Sequence, residues 1–334
     1  MAQREAKPAW SEVPLAVRRE TERRLGSRVA RATRAYGGYA ASATFRLALA
    51  NGRRAFFKAG YPPPPGSAAI FPIDREEARY RALAPLTARW MPKQYGSFQR
   101  ERWHVLLMED LGPATLPPWS PYKARRAARS YARFHRATLG QALPRVLSRT
   151  QHQRFGKRWN ELATSGELRH AASVAGLRAE EAEEWLDVAM PVLRAAERDL
   201  VSAKRPFVVL HFDTRSDNVR LIGDRLVMFD WPWASAGPAE FDTAAFAQAV
   251  AADRGPAPER VIAWYEQVMP LRPRELGGSI AGIAGYFAGA AWRPPPRGLP
   301  RLRSIQRRQL KASLAWAARR FALPEPRWLD AVPD

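Results

Sequence analysis

In the stretch LHFDTRSDNVRLIGDRLVMFDWPWASAGPAEFD, which begins at Leu210, six Asp and Asn side chains stand between short apolar runs. His211, Asp213 and Asn218 form the pattern H-x-D-x-x-x-x-N, and Asp230 closes the second apolar run. With five His, twelve Asp and three Asn in 334 residues, chance supplies about 0.002 such patterns. The spacing therefore asks for a chemical reason, and phosphoryl transfer offers one. That reaction needs one carboxylate to orient an attacking hydroxyl and take its proton. It also needs an amide oxygen and a second carboxylate to hold Mg²⁺ against phosphate oxygens. Asp213, Asn218 and Asp230 make up such a set. With no Cys and no paired His, oxygen ligands suit Mg²⁺ rather than zinc. The plainer alternative makes these residues turn formers, but an unpaired acid at the end of an apolar strand, as at Asp230, would be costly. His211 reads as a buried hydrogen-bonding residue, and Asp217 has no assigned role.

Two strands must carry these groups. VRLIGDRLVMFD has apolar runs on either side of Gly223-Asp224, a pair suited to a type II′ hairpin turn. Pairing Ile222 with Arg225 sets Asn218 opposite Phe229. Strict alternation would then put Asn218 and Asp230 on opposite faces, so they can meet only if the ladder has ended there. Asp242 in PAEFDTAAF is expected to cap the next helix and brace the loop.

Upstream, PAWSEVPLAVRRETERRLG reads as a helix capped by Ser11, with Pro14 in its first turn and Gly26 at its end. VARATRAYGGYAASATFRLALANGRRAFFKAG alternates on both sides of Asn51-Gly52, which predicts a β-hairpin ending at Lys58. YPPPPGSAAIFP is an extended linker and DREEARYRALAPL a helix capped by Asp74. PKQYGSFQRERWHVLLMEDLG gives two short strands with a turn near Gln99 to Arg102, and helical periodicity dominates after Gly112. The order predicts an α+β fold with a small β-rich lobe, residues 1–110, and a larger, mainly helical lobe, residues 111–334.

Composition narrows the classes. With 46% hydrophobic and 26% charged residues the chain can bury a sizeable core. The absence of Cys fits a reducing cytoplasm and leaves secretion without support. GGSIAGIAGYFAGAAW, from Gly277, is shorter than a membrane span and rich in small residues, so it reads as a closely packed helix. The formal net charge of +22 raises the possibility of a nucleic-acid platform. Yet the charge is spread: residues 111–160 hold eleven Arg or Lys and no acid, while acids prevail in residues 161–199 around RAEEAEEWLD. Solvated basic helix faces account for it better than nucleic acid does.

The residues also carry a family resemblance. HFDTRSDN, the following FDW and GPAEFD resemble the catalytic segment of the aminoglycoside phosphotransferase family, small-molecule kinases with a protein-kinase-like fold. YGGYAASATFRL resembles that family's phosphate-covering loop, AFFKAG its lysine strand, LLMEDLG its interlobe hinge and YARFHRATLG the helix before the acceptor-binding insert. The resemblance spans nearly the whole chain and implies a bilobal fold. It implies ATP or GTP and Mg²⁺ as cofactors, and a small hydroxylated acceptor such as an antibiotic or metabolite. Asp213 becomes the base, Asn218 and Asp230 the metal ligands, and Lys58 the contact to the α- and β-phosphates. Glu76 becomes the partner of Lys58, with Glu77 as the alternative. Gly37 and Gly38 fall in the phosphate loop, and Met108, Glu109 and Asp110 would receive the base. Arg215, two past the base, is either an extra cation on the transferring phosphate or a surface residue.

The chain departs from kinase patterns in three places. Gly37-Gly38 is not G-x-G-x-x-G, Asp230 is followed by Trp-Pro, and no A-P-E segment follows, which favours a small molecule over a protein acceptor. Phe212, between His211 and Asp213, has no evident reason at this level. A catalytically idle nucleotide binder on the same fold is the rival reading, disfavoured because base, metal ligands and lysine are all present. The acids of residues 161–199 would suit an acidic acceptor pocket, whereas the overall charge would repel a polycation. Oligomeric state is left open.

Overall fold

The computed structural model describes residues 7–36, 42–62 and 73–334. Gly37, Gly38 and most of the proline-rich linker lie outside them. The described chain groups into two compact units. The first takes in Met1–Ala114, Val227–Pro232 and Pro295–Leu302, and the second Thr115–Leu226, Trp233–Pro294 and Arg303–Asp334.

The first unit is built on an antiparallel sheet. Helix α1 (Leu15–Leu25) precedes strands β1 (Val29–Arg34), β2 (Ala43–Leu49) and β3 (Arg54–Gly60). Helix α2 (Ile73–Thr87) and strands β4 (Gln94–Arg100) and β5 (Trp103–Met108) follow, and the strand order is β1-β2-β3-β5-β4. Register explains the two faces. Phe45, Phe57 and Leu107 are cross-strand partners on one face and form a core with Val13, Val17 and Leu25 from the α1 side. One residue along, Thr44, Lys58 and Leu106 are partners on the other face, because successive side chains alternate.

Several local expectations change here. Ser11 does not cap α1; it sits in a short 3₁₀ turn, Trp10–Glu12, and Pro14 takes the cap position. Gly26 does end the helix, in the left-handed region at φ +66°. The single expected hairpin is a three-stranded ladder, since β1 adds to the β2-β3 pair, and β3 runs two residues past Lys58. Lys58 is thus on the central strand of the five. Asp74 lies inside the first turn of α2, which begins at Ile73, so it is not the cap.

The second unit is mainly helical. It contains α3 (Pro121–Thr138), α4 (Arg158–Thr164), α5 (Leu168–Ala172) and α6 (Ala179–Val201). Strands β6 (Val208–Leu210), β7 (Val219–Ile222), β8 (Arg225–Met228) and β9 (Ser235–Gly237) follow, then α7 (Ala239–Ala252), α8 (Pro258–Glu266), α9 (Pro273–Ala290) and α10 (Leu302–Arg320). The last two residues of β8 group with the first unit, and α10 starts at the boundary. Ser120 caps α3 by accepting the Lys123 N–H at 3.2 Å. β7 and β8 pair around Gly223, which has φ +56° as a II′ turn requires. β6 pairs with β9 instead, a partnership that spacing did not reveal.

The small-residue run becomes α9, packed closely against α6. A Cβ on Gly278 would lie 2.6 Å from the backbone nitrogen of Leu200, and one on Gly282 would lie 2.7 Å from the Phe155 carbonyl oxygen. Only glycine permits that approach. Among the described residues no helix is long and apolar enough to cross a membrane.

Candidate active site

In the first unit the candidate lysine and two acids converge. β3 points Lys58 to the face opposite the Phe57 core, and α2 presents Glu76 to it, with Nζ to Oε2 at 2.6 Å. Asp230 reaches the same ammonium through Oδ1 at 2.9 Å. Lys58 and Glu76 are 7% and 1% exposed, so the charges lie out of water and must satisfy one another. Burial alone would favour a neutral amine, but Asp230 and Glu76 outweigh it, and the Lys58 pKa rises above the usual lysine value. Burial pushes Glu76 up to about 7, with Lys58 opposing and the charge of Asp230 adding to the rise. Tyr80, one turn along α2 from Glu76, is fully buried beside the backbone of Asp230. Burial and the two carboxylates keep its phenol protonated.

The neighbouring acid has a different post. Glu77 accepts from Ser97 Oγ at 2.6 Å and meets His104 Nε2 at 2.7 Å. Burial works against its charge, yet these bonds hold its carboxyl below the usual range. Glu76 and not Glu77 is therefore the partner of Lys58. Asp230 has φ +69°, a left-handed conformation that Asp adopts more readily than most L-residues. Next to it the Trp231 ring is fully buried and its Nε1 donates to the Met228 carbonyl at 2.8 Å.

The expected base-binding segment ends β5. Met108 is buried, and the Glu109 N–H donates to the Lys93 carbonyl at 2.8 Å, which leaves that N–H committed to the sheet. Asp110 accepts from the Gly112 N–H at 3.1 Å and faces Arg46 at 3.6 Å, so its carboxylate organises the turn.

In the second unit the loop after β6 carries Asp213 and Asn218. Asn218 Nδ2 donates to the Asp213 carbonyl at 3.0 Å, leaving its Oδ1 as the amide atom suited to a cation. Arg215 is no bystander: its Nε and Nη2 donate to the two Asp213 oxygens at 2.9 and 3.3 Å. It also lies 3.6 Å from Asp217, which gives that residue a partner. The β7-β8 pairing stops at Val219 and Met228, so Asn218 and Asp230 both lie beyond the ladder, and neither is bound by strand alternation. Among the described residues no three acids or histidines cluster as a metal cage. An amide oxygen and a carboxylate oxygen are donor types that Mg²⁺ accepts.

Asp242 braces this loop from below. Its Oδ2 accepts from the Tyr131 hydroxyl at 2.7 Å and the His211 N–H at 2.6 Å, and its Oδ1 from the Phe212 N–H at 3.0 Å. It does not cap α7, where Pro238 holds that position. The brace explains Phe212, whose φ of +72° is left-handed. Two bonds from one buried carboxylate hold that turn, while the ring stacks on Phe241 with centroids 4.7 Å apart and meets Phe155 at 5.4 Å. His211 is buried, as expected. Trp119 steadies the other end by donating from Nε1 to Ser216 Oγ at 2.9 Å. Sequence reasoning missed Trp119, Tyr131 and Tyr80; only Tyr131, on one helical face with His135, left a trace in YARFHR.

Comparison with known proteins now bears on this arrangement. The model of the phosphotransferase enzyme family (APH) matches residues 32–277. The chain belongs to that family. No curated protein sequence matches it. Among solved structures, an aminoglycoside phosphotransferase from Alicyclobacillus acidocaldarius subsp. acidocaldarius DSM 446 is 14% identical. The match covers 96% of each chain, with a TM-score of 0.62. The choline kinase LicA of Streptococcus pneumoniae is also 14% identical over 95% of this chain and 98% of its own, with a TM-score of 0.53. APH(2″)-IIa, solved as a ternary complex with streptomycin and ATP, is 12% identical over 93% and 99%, with a TM-score of 0.51. At such identities the likeness is one of fold, the α+β architecture of protein-kinase-like phosphotransferases.

Proposed function

We propose that this phosphotransferase moves the terminal phosphoryl group of ATP to a hydroxyl of a small molecule, with Asp213 as the base. The observation that carries this reading is the buried Lys58 ammonium fixed between Glu76 and Asp230. A lysine so held presents a stationary positive charge, which phosphate recognition by positioning requires. On this reading residues 1–110 cover the nucleotide and residues 111–334 carry the acceptor. Gly37 and Gly38 belong to the phosphate loop, Lys58 meets the α- and β-phosphates, and backbone groups of residues 108–110 receive the base. Asn218 and Asp230 are the proposed Mg²⁺ ligands, and the ion would neutralise charge on the phosphate oxygens. Arg215 steadies Asp213 before substrate arrives and is the proposed extra cation on the transferring group. ATP is preferred to GTP because APH(2″)-IIa, a relative in fold, was solved with ATP. A cytoplasmic location, where ATP is abundant, goes with the reading.

Transfer from γ-labelled ATP or GTP to a broad panel of hydroxylated metabolites and antibiotics is the test. Wild type should give Mg²⁺-dependent transfer, and Asp213→Asn should lower kcat by roughly 10²- to 10⁴-fold, the usual value of a general base. ATP binding without transfer to any member would favour the idle nucleotide binder. Steeply salt-dependent DNA binding that survives Asp230→Ala would favour the nucleic-acid reading.

A further inference from the structure

Two consecutive glutamates on α2 reach in two directions across the sheet. Lys58 from β3 and Ser97 from β4 are both cross-strand partners of Leu106 on β5, and His104 lies two residues from Leu106 on that strand. Successive side chains alternate along a strand, so Lys58, Ser97 and His104 share one face, and α2 packs on β5 there. Glu76 meets Lys58 on the β3 side at 2.6 Å. Glu77 meets Ser97 at 2.6 Å and His104 at 2.7 Å on the β4-β5 side.

The bonds of Glu77 form a complete set. Gln99, the partner of His104 across the ladder, donates its amide Nε2 to His104 Nδ1 at 3.3 Å. The other ring nitrogen, Nε2, then carries the proton that points at Glu77 Oε2. Ser97 Oγ donates to the second carboxylate oxygen, Oε1. Arg81 pairs with Oε1 as well, but its side chain is 76% exposed, and exposed pairs are worth little. Glu77 and His104 are each only 17% exposed, and hydrogen bonds to an ionised group are the strong kind. Ser97 and His104 are therefore the anchors.

Anchoring at Glu77 sets the rotation of α2. Ile73, Tyr80 and Leu83 are buried on this helix, but apolar contact has no direction and tolerates a turn about the axis. A turn of about 20° sweeps a carboxylate held roughly 6 Å from the axis through about 2 Å, enough to break a hydrogen bond. Glu76 and Glu77 belong to one rigid turn, so neither carboxylate moves without the other. Tyr80, one turn on from Glu76, lies against the backbone of Asp230 and would shift with them. Off its lysine, Glu76 would take up a proton, since burial already pushes it up to about 7. Lys58 would then be held by Asp230 alone.

We propose, resting on the phosphotransferase reading above, that Glu77 is a positioning residue. Through Ser97 and His104 it fixes the rotation of α2 at which Glu76 holds Lys58, and so it governs affinity for the phosphates of the nucleotide. Its effect passes through Glu76 and Lys58.

The test follows ATP, ADP and adenosine, each with Mg²⁺, by competition with a fluorescent ATP analogue. Glu77→Ala should weaken ATP and ADP at least about tenfold and adenosine less than about twofold, because only phosphates meet Lys58. Glu77→Gln can still accept from His104 and donate to Ser97 Oγ, so it should recover most of the loss. Ser97→Ala removes one anchor and should weaken ATP by about threefold, which keeps the test open if circular dichroism shows Glu77→Ala unfolded. In a Lys58→Met background Glu77→Ala should change ATP affinity less than about twofold, since the route is already cut. ATP affinity unmoved in Glu77→Ala and Ser97→Ala overturns the positioning role and spares the phosphotransferase reading. So does an equal loss for adenosine, or a full loss repeated in Lys58→Met. Wild type that binds neither ATP nor ADP overturns that reading, and the positioning role with it.

Discussion

Replacing Lys58 with Met keeps much of the side-chain length and removes the charge, which leaves Glu76 and Asp230 facing each other without their ammonium. At 2.6 and 2.9 Å and an effective dielectric constant near 20, each attraction is worth roughly 6 kcal/mol before desolvation is subtracted. Breaking one partner out of a buried pair costs about 3–5 kcal/mol in net terms. The variant can soften that cost by taking up a proton, and Glu76, already raised to about 7 by burial, is the group to take it. Its folded pKa would then climb further above the unfolded carboxyl value. A group with a raised folded pKa binds more protons when folded, so stability falls as pH rises between the unfolded and folded values. In wild type this decline ends near pH 7; in Lys58→Met it continues above, at up to about 1.4 kcal/mol per pH unit. Urea unfolding followed by tryptophan fluorescence at pH 7.0 and 8.5 should show a deficit that widens by about 2 kcal/mol across the interval. Adding Glu76→Gln to the variant should flatten it. A deficit independent of pH, or no deficit at all, would refute the charge coupling argued for this trio.

Other consequences are as direct. Asp242→Asn takes an acceptor from a network that holds the left-handed Phe212, and should cost about 1–3 kcal/mol in urea unfolding while lowering phosphoryl transfer more than nucleotide affinity. Gly282→Ala drives a Cβ toward the Phe155 carbonyl and should lower stability by about 1–3 kcal/mol, read as a drop in Tm. His152 is buried and held neutral, its pKa lowered by burial to about 4. Since the unfolded chain binds its proton first, stability is full above about pH 6.5 and should fall by about 3 kcal/mol as pH drops toward 4. His152→Gln should remove that component of the acid dependence.

What was legible from residue order follows from how local each feature is. The spacing of Asp213 and Asn218 is fixed within one loop, so it survives in the sequence, as does the turn at Gly223. Glu76 and Glu77 differ by 100° around α2, and which one faces Lys58 depends on how the helix lies on the sheet, so spacing alone left both open. Ser11, Asp74 and Asp242 failed as caps for a related reason. Each has the right chemistry near a helix start, but tertiary contacts moved the start or claimed the side chain. Phe212 resisted explanation because its supports come from two other segments, Phe241 and Asp242 from α7 and Phe155 from the turn before α4.

The acids of residues 161–199 make the same point about charge, with a larger effect on function. A local count sees a negative segment and suggests a cation-binding wall. Glu161 and Glu181 pair with arginines three residues away, but other partners lie far along the chain: Arg293 is 126 residues from Glu167, and Arg274 is 75 from Asp199. Once those pairs form, the segment's acids are largely neutralised, and the excess of arginine over the whole chain sets the sign of the long-range field, at a formal net charge of +22. A field of that sign raises the local concentration of anions and speeds their arrival while slowing polycations. Association rates of an anionic acceptor should therefore fall as salt rises, and those of a cationic one should rise.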